Sequence, residues 1–160
     1  RDGEKVRLAR GVRADQYGIR TTLLVDDLPI KFEIVLEGRI EIEAATGKDQ
    51  VCGISTLTAL DMATSKLLAN SDRWSDDAVF SRDVIDLAMM GLPLPALRAA
   101  LAKAEQAYGP SVARDLGKAI DRLQSRAGWL ERCMQVMAMQ LPKAVLWQKV
   151  RALRRIVPAV

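Results

Sequence analysis

The groups able to do chemistry in this chain are carboxylates and cations. Histidine is absent. That removes Ser-His-Asp and Cys-His catalysis, histidine-bound zinc and imidazole acid–base work together. Reaction chemistry would fall to carboxylates, lysine, arginine, or a hard metal ion held by oxygen ligands. Three places supply such groups. Glu33 stands inside IKFEIV, two residues from Lys31. A carboxylate in mid-strand is rigidly placed to hold a metal ion, and a Lys/Glu pair is equally the mark of an exposed strand face. Lys66 stands in a helix where Ala59, Met62, Ala63 and Ala69 are small or apolar. It either snorkels to water or lines a cleft, where its ammonium would meet a triphosphate as a point charge. The third place is FSRDVIDLAMM, Phe80 to Met90, which sets Arg82, Asp83 and Asp86 among apolar residues.

Two readings of that third place stand on spacing alone. Arg82 and Asp86 are at i,i+4 and can pair, while Asp83 falls in a first helical turn, where a carboxylate complements the helix dipole. Both features belong to a salt-bridged cap. Asp72 and Arg73 lie in the polar connection just before, and that many charges at one helix start exceed what a cap needs. The other reading is the polar wall of a cleft.

The elements that must position these groups fall into two kinds. YGIRTTLLVDD and LPIKFEIVLEG read as two strands around the turn-like DDLP, with Pro29 fixing the bend. In the second strand Ile30, Phe32, Ile34 and Leu36 alternate with Lys31, Glu33, Val35 and Glu37, a period of two with one apolar and one mostly charged face. RIEIEAA and DQVCGIS are candidate short strands. From Thr56 the pattern is helical. Thr58 with Asp61 makes an imperfect capping box, and Leu57, Leu60, Thr64, Leu67 and Leu68 form a core stripe. Ser81 is the expected N-cap of the next helix, with Phe80 and Ile85 at hydrophobic-staple spacing. Helices follow over LPALRAALAKAEQAYG, PSVARDLGKAIDRLQSR, GWLERCMQVMAMQ and PKAVLWQKVRALRRIV. The methionines Met89, Met90, Met134, Met137 and Met139 read as core filler. The fold class is α+β: a small mixed β-sheet followed by a helical bundle. The expected division is a β-rich part over 1–55, helices completing a cleft over 56–92, and a C-terminal bundle over 93–160.

With 160 residues, 49% of them apolar, the chain can bury a sizeable core. No run reaches the apolar length of a membrane helix, and the charged start RDGEKVRLARG leads into no signal-peptide core. Cys52 and Cys133 read as reduced thiols, so a cytoplasmic protein is expected. The net charge of +4 is uneven. Pro142 to Val160 holds Lys143, Lys149, Arg151, Arg154 and Arg155 and no acid. Such an end suits a nucleic acid or an acidic partner, and it equally suits a solubilising helix.

In order and spacing, IKFEIV, DMATSKLLANSDRW and SRDVIDLAMM resemble the AbiEii/AbiGii-type nucleotidyltransferases, abortive-infection and type IV toxin proteins with a polymerase-β-like core. The resemblance covers about residues 18 to 130. It implies that Glu33 is one of the carboxylates holding Mg²⁺, that Lys66 meets the phosphates of an incoming NTP, and that Asp83 and Asp86 form the acidic motif, with Arg82 where lysine is more usual. Asp72 and Arg73 fall in the linking loop and, with Lys66 and Arg82, are expected to bind the nucleotide. It places the two acids in a cleft rather than a cap. The family's first motif, Gly-Ser followed by an Asp pair, has no counterpart between Arg1 and Ile30. Two of three expected metal ligands are therefore expected in an N-terminal part outside this sequence, the alternative being a non-catalytic derivative.

The expected function is transfer of a nucleotide from NTP to an acceptor such as an RNA or tRNA end, with a separate antitoxin as partner and no membrane. The alternative is a nucleic-acid- or protein-binding module. In the transfer reading, Lys149, Arg151, Arg154 and Arg155 would track substrate phosphates.

Overall fold

Alternation of apolar and polar residues around a tight turn produces the first element of the computed structural model, a β-hairpin. Strand β3 (Gly18–Val25) pairs antiparallel with β4 (Leu28–Val35) along its whole length, from Gly18 opposite Val35 to Val25 opposite Leu28. The bend is made by Asp26 and Asp27, at φ 48° and 66°. Positive φ at both central residues is the two-residue turn that matches strand twist. Pro29 does not fix the bend; it lies inside β4 opposite Leu24. It is tolerated there because, among the described residues, β4 pairs with β3 alone and nothing pairs with its other edge. Gly18, at φ 140°, permits the close approach at the hairpin's open end, since a Cβ there would sit 2.0 Å from the Ile34 carbonyl oxygen.

The structure describes residues 6–158; the charged opening Arg1–Lys5 and the final Ala159 and Val160 lie outside the described residues. The chain divides into two units, the first ending at Arg39 and the second beginning at Ile40.

In the first unit the other edge of β3 pairs with β1 (Val6–Leu8) and β2 (Arg13–Asp15) in turn. Leu8 faces Leu23, whereas Arg13 faces Arg20. The register slips by two residues between them, so the intervening chain bulges. An even slip preserves the faces. Val6, Leu8, Ile19, Ile30, Phe32 and Ile34 therefore share one face, and all six are exposed. Arg13, Arg20, Lys31 and Glu33 share the other. Every described strand pairing is antiparallel, where a mixed sheet was expected.

The second unit opens with an irregular segment. RIEIEAA forms no strand, and DQVCGIS folds into a minimal hairpin of β5 (Gln50–Val51) and β6 (Ile54–Ser55). Six helices follow: α1 (Ala59–Arg73), α2 (Arg82–Met89), α3 (Leu94–Tyr108), α4 (Ser111–Ser125), α5 (Trp129–Val136) and α6 (Lys143–Ala152). Helix α1 packs against α2, α3 and α4, and α2 packs against α6. The α4 stripe Val112, Leu116, Ile120 and Leu123 is fully inside, as its 3.6-residue period predicts. On α6, Leu146 and Val150 are buried, and the chain tightens at Leu153–Ile156 into a 3₁₀ turn that buries Ile156 while Val157 stays half-buried. Of the five methionines expected as core filler, Met90, Met134, Met137 and Met139 pack against the core and Met89 is exposed. No helix among the described residues is long and apolar enough to cross a membrane.

Asp61 is fully buried, an outcome its place in a capping box did not announce. Its amide donates to the Thr58 hydroxyl at 3.1 Å, as a cap should. Its carboxylate serves other partners: Lys103 Nζ of α3 at 2.6 Å, the Glu43 amide at 2.8 Å and the Thr58 hydroxyl at 3.1 Å. Burial raises the Asp61 pKa, but hydrogen bonds from Lys103, the Glu43 amide and Thr58 outweigh it, so the group lies below the usual carboxylate range. Cys133 on α5 is buried beside Ser81, and burial pushes its thiol pKa up to about 11.

Two measurements check this packing. Asp61→Ala strands a half-buried ammonium and should cost about 3 kcal/mol in denaturant unfolding, with Asp61→Ala/Lys103→Met recovering part of the loss. Because the folded Asp61 pKa is depressed, its contribution is present above the unfolded carboxylate pKa and disappears as pH falls through the lower folded value. A thiol reagent at neutral pH should modify the exposed Cys52 rapidly and Cys133 only after unfolding. Equal rates for both thiols would contradict a buried Cys133.

Candidate active site

Helical geometry brings four of the singled-out residues together in the second unit. Lys66 and Arg73 are seven residues apart on α1, two turns on one face. Asp83 and Asp86 are three apart on α2 and share the facing side. The α1–α2 packing turns these pairs toward each other. Arg73 grips Asp83 with two parallel bonds: Nε to Oδ2 at 2.7 Å and Nη2 to Oδ1 at 2.9 Å. Lys66 Nζ donates to Asp86 Oδ2 at 2.5 Å and stands 3.6 Å from Asp83 Oδ1.

Burial within this cluster is graded. The Asp83 side chain is 3% exposed, while Lys66, Asp86 and Arg73 are 30%, 32% and 39% exposed. Asp83 is the anchor, and the other three form a rim open to water. A fork-on-fork guanidinium–carboxylate pair is the geometry that tolerates such burial. The hydrogen bonds that Arg73 donates to Asp83 hold its guanidinium even more firmly protonated than usual.

Arg82 differs from the expectation of an i,i+4 pair. It is exposed at the first position of α2 and forms no ion pair among the described residues, because Asp86 is taken by Lys66 across the helix interface. Asp72 is exposed at the end of α1. Ser81 occupies the N-cap position of α2, but its hydroxyl caps nothing. It accepts from Trp129 Nε1 at 2.9 Å. Phe80 stacks on Trp129 with ring centroids 5.9 Å apart, and Arg126 lies 4.1 Å over the same indole. The start of α2 is thus held by aromatic packing in place of a side-chain cap.

Further ties hold the α1 scaffold. Ser71 donates to Asp115 of α4 at 2.8 Å, and Lys118 contacts Asp115 at 3.2 Å while lying 5.2 Å over the Trp74 ring.

Glu33, in the first unit, has a different setting. Lys31 Nζ is 2.9 Å from its Oε2 and Arg20 Nε is 3.6 Å from its Oε1. Arg20 and Arg13, its row-mates across the sheet, were not singled out in the sequence. Face parity was the signal that could have found them: Arg13, Arg20 and Glu33 fall on one side once the register is known. Of the C-terminal cations, Arg154 is committed to the Gly117 carbonyl at 3.2 Å and to Asp121 of α4. Lys149 is half-buried, and Arg151 and Arg155 are exposed.

A divalent cation needs several oxygen ligands at one point. Among the described residues no group of three Asp, Glu, Cys or His side chains could hold one. Asp83 and Asp86 are engaged by cations, and Glu33 is one carboxylate between Lys31 and Arg20. These residues do not by themselves fit a metal ion.

A family model described as nucleotidyl transferase AbiEii toxin, type IV toxin–antitoxin system, matches residues 1–155. No curated protein and no solved structure matches the chain. The motifs that pack Lys66, Arg73, Asp83 and Asp86 into one cluster lie inside that match, and the chain belongs to the AbiEii nucleotidyl transferase toxin family of type IV toxin–antitoxin systems.

Proposed function

We propose that this chain takes part in transferring a nucleotide from NTP to the end of an RNA, with the α1–α2 cluster contacting the triphosphate. Family membership implies the coarser statement: a nucleotidyltransferase toxin with a nucleotide substrate, metal use and a cognate antitoxin. The observation that carries the finer reading is the graded cluster, in which one buried carboxylate, Asp83, fixes two partly exposed cations on a common face. Phosphoryl transfer asks chiefly for positioning and charge stabilisation, which preorganised cations supply. Lys66 meets a phosphate oxygen as a point charge. Arg73 holds its fork on Asp83 and leaves that carboxylate only a longer contact, 3.6 Å, with the ammonium. Asp86 shares Lys66 with the incoming phosphate, and exposed Arg82 adds an unpaired cation beside it.

A second reading has its own support. Two carboxylates balance two cations in the cluster, a stoichiometry that also suits a purely structural interface in a non-catalytic nucleic-acid- or protein-binding module.

Incubating the full-length protein with labelled NTPs, Mg²⁺ and total RNA separates the two. Label should appear on RNA ends, and Lys66→Ala should lower kcat/KM about 100-fold while unfolding at the wild-type denaturant midpoint. No transfer by the wild type would leave the binding module standing, and full transfer by Lys66→Ala would remove the α1–α2 cluster from the reaction. Asp83→Ala is the wrong probe of chemistry. Removing the anchor strands Arg73 and should cost about 3 kcal/mol of stability, seen as a shifted unfolding midpoint.

A further inference from the structure

The charged face of the sheet in the first unit carries a feature that the α1–α2 cluster leaves unused. Its cations form a two-dimensional array fixed by strand register. Arg13 of β2, Arg20 of β3 and Glu33 of β4 lie in one row; Thr22 of β3 and Lys31 of β4 lie in the next. Between β1 and β2 the two-residue slip bulges the edge, and the Arg10 carbonyl there accepts from the Thr21 hydroxyl at 2.9 Å. The bulge raises a rim around a hollow of about 600 Å³ lined by Arg10, Arg13, Arg20, Thr22, Lys31 and Glu33 among others. Four cations thus line the hollow with Glu33, and a second carboxylate on the same face, Asp15, pairs with Arg20.

Their commitments differ. Arg20 is shared between Asp15 at 2.9 Å and Glu33 at 3.6 Å. Lys31 reaches Glu33, yet its side chain stays 75% exposed. Arg10 and Arg13 make no ion pair among the described residues. Excess positive charge held on paired strands and on the bulge between β1 and β2, with the Arg10 and Arg13 donors outside any ion pair among the described residues, is the footprint of a polyanion. The array runs from β2 to β4, about 10 Å across, so its charges are spread along a line. No aromatic ring lines the hollow. It therefore offers no platform for a nucleobase, as a nucleotide pocket or a base-stacking single-strand groove would.

We infer that this sheet face, through Arg10, Arg13, Arg20 and Lys31, binds the phosphate backbone of a nucleic acid strand without reading its sequence. The inference deepens the transfer reading by giving the acceptor a surface, and it rests on that reading for the identity of the strand. The C-terminal cations are the less suitable track. Lys149 and Arg151 point about 200° apart around α6, and Arg154 is held by Asp121 and the Gly117 carbonyl.

The test is a fluorescence titration of the full chain against a labelled single-stranded RNA of about 20 nucleotides, longer than one site, with no NTP present and at two salt concentrations. Arg10→Ala/Arg13→Ala should weaken binding about ten-fold at the lower salt and reduce the log–log salt slope by about 1.4, two phosphate contacts on a single strand. Arg10→Lys/Arg13→Lys should restore most of the affinity, because a backbone contact needs charge more than fork geometry. Lys149→Ala/Arg151→Ala/Arg155→Ala should bind as the wild type does, and ATP should displace the RNA only as an equal concentration of inorganic triphosphate does. Unchanged affinity and slope in Arg10→Ala/Arg13→Ala would overturn the inference. So would loss of binding in the C-terminal variant, or displacement by ATP well beyond that by triphosphate. Because binding is read without transfer, a wild type that binds but transfers nothing counts against the proposed function alone. One that transfers while Arg10→Ala/Arg13→Ala binds normally counts against this surface alone.

Discussion

A carboxylate taken out of water costs several kcal/mol unless charge and hydrogen bonds compensate it, and Asp83 imposes that requirement on the surrounding helices. Its burial forces Arg73 to approach with its fork and draws Lys66 to the same oxygens. Both cations sit on α1, so satisfying Asp83 also sets the rotation of α1 against α2 and fixes which face of each helix looks outward. Asp61 does the equivalent work toward α3 through Lys103 and pins the irregular segment through the Glu43 amide. The bundle's register is written in these ion pairs as much as in its leucines. The leucines say that helices must pack; the buried acids say in which orientation.

Legibility from sequence tracked how local the deciding interaction was. The β3–β4 hairpin was readable because its period of two and its turn lie within one short stretch. Even there the bend was credited to Pro29, when two consecutive aspartates adopt the left-handed conformation that the turn needs. The α4 stripe was readable for the same reason. RIEIEAA misled because alternation signals a strand only when the backbone amides pair with an edge, and the Glu43 amide of this segment is claimed by Asp61 instead.

Partnerships across helices were not readable. Arg82 and Asp86 satisfy i,i+4 spacing, yet a lysine twenty residues upstream takes the aspartate. Ser81 was correctly placed at a helix start while its hydroxyl was committed to Trp129, 48 residues away. The candidate site was therefore half visible: its residue types and order stood out, but the buried role of Asp83 and the cation array around Glu33 needed the register and packing. In chemical terms the sequence exposed an inventory of charges, whereas function depends on which charges are already spent on one another.

The several ties on α1 have a consequence for recognition. Lys66 and Arg73 are long side chains that would ordinarily surrender rotamer freedom on meeting an anion. Asp83 and Asp86 have already exacted that loss during folding, with Ser71–Asp115 and Asp61–Lys103 steadying the backbone beneath them. A phosphate arriving at this rim would find donors whose motional entropy was surrendered beforehand, and its residence would be governed by how readily Asp86 releases its lysine.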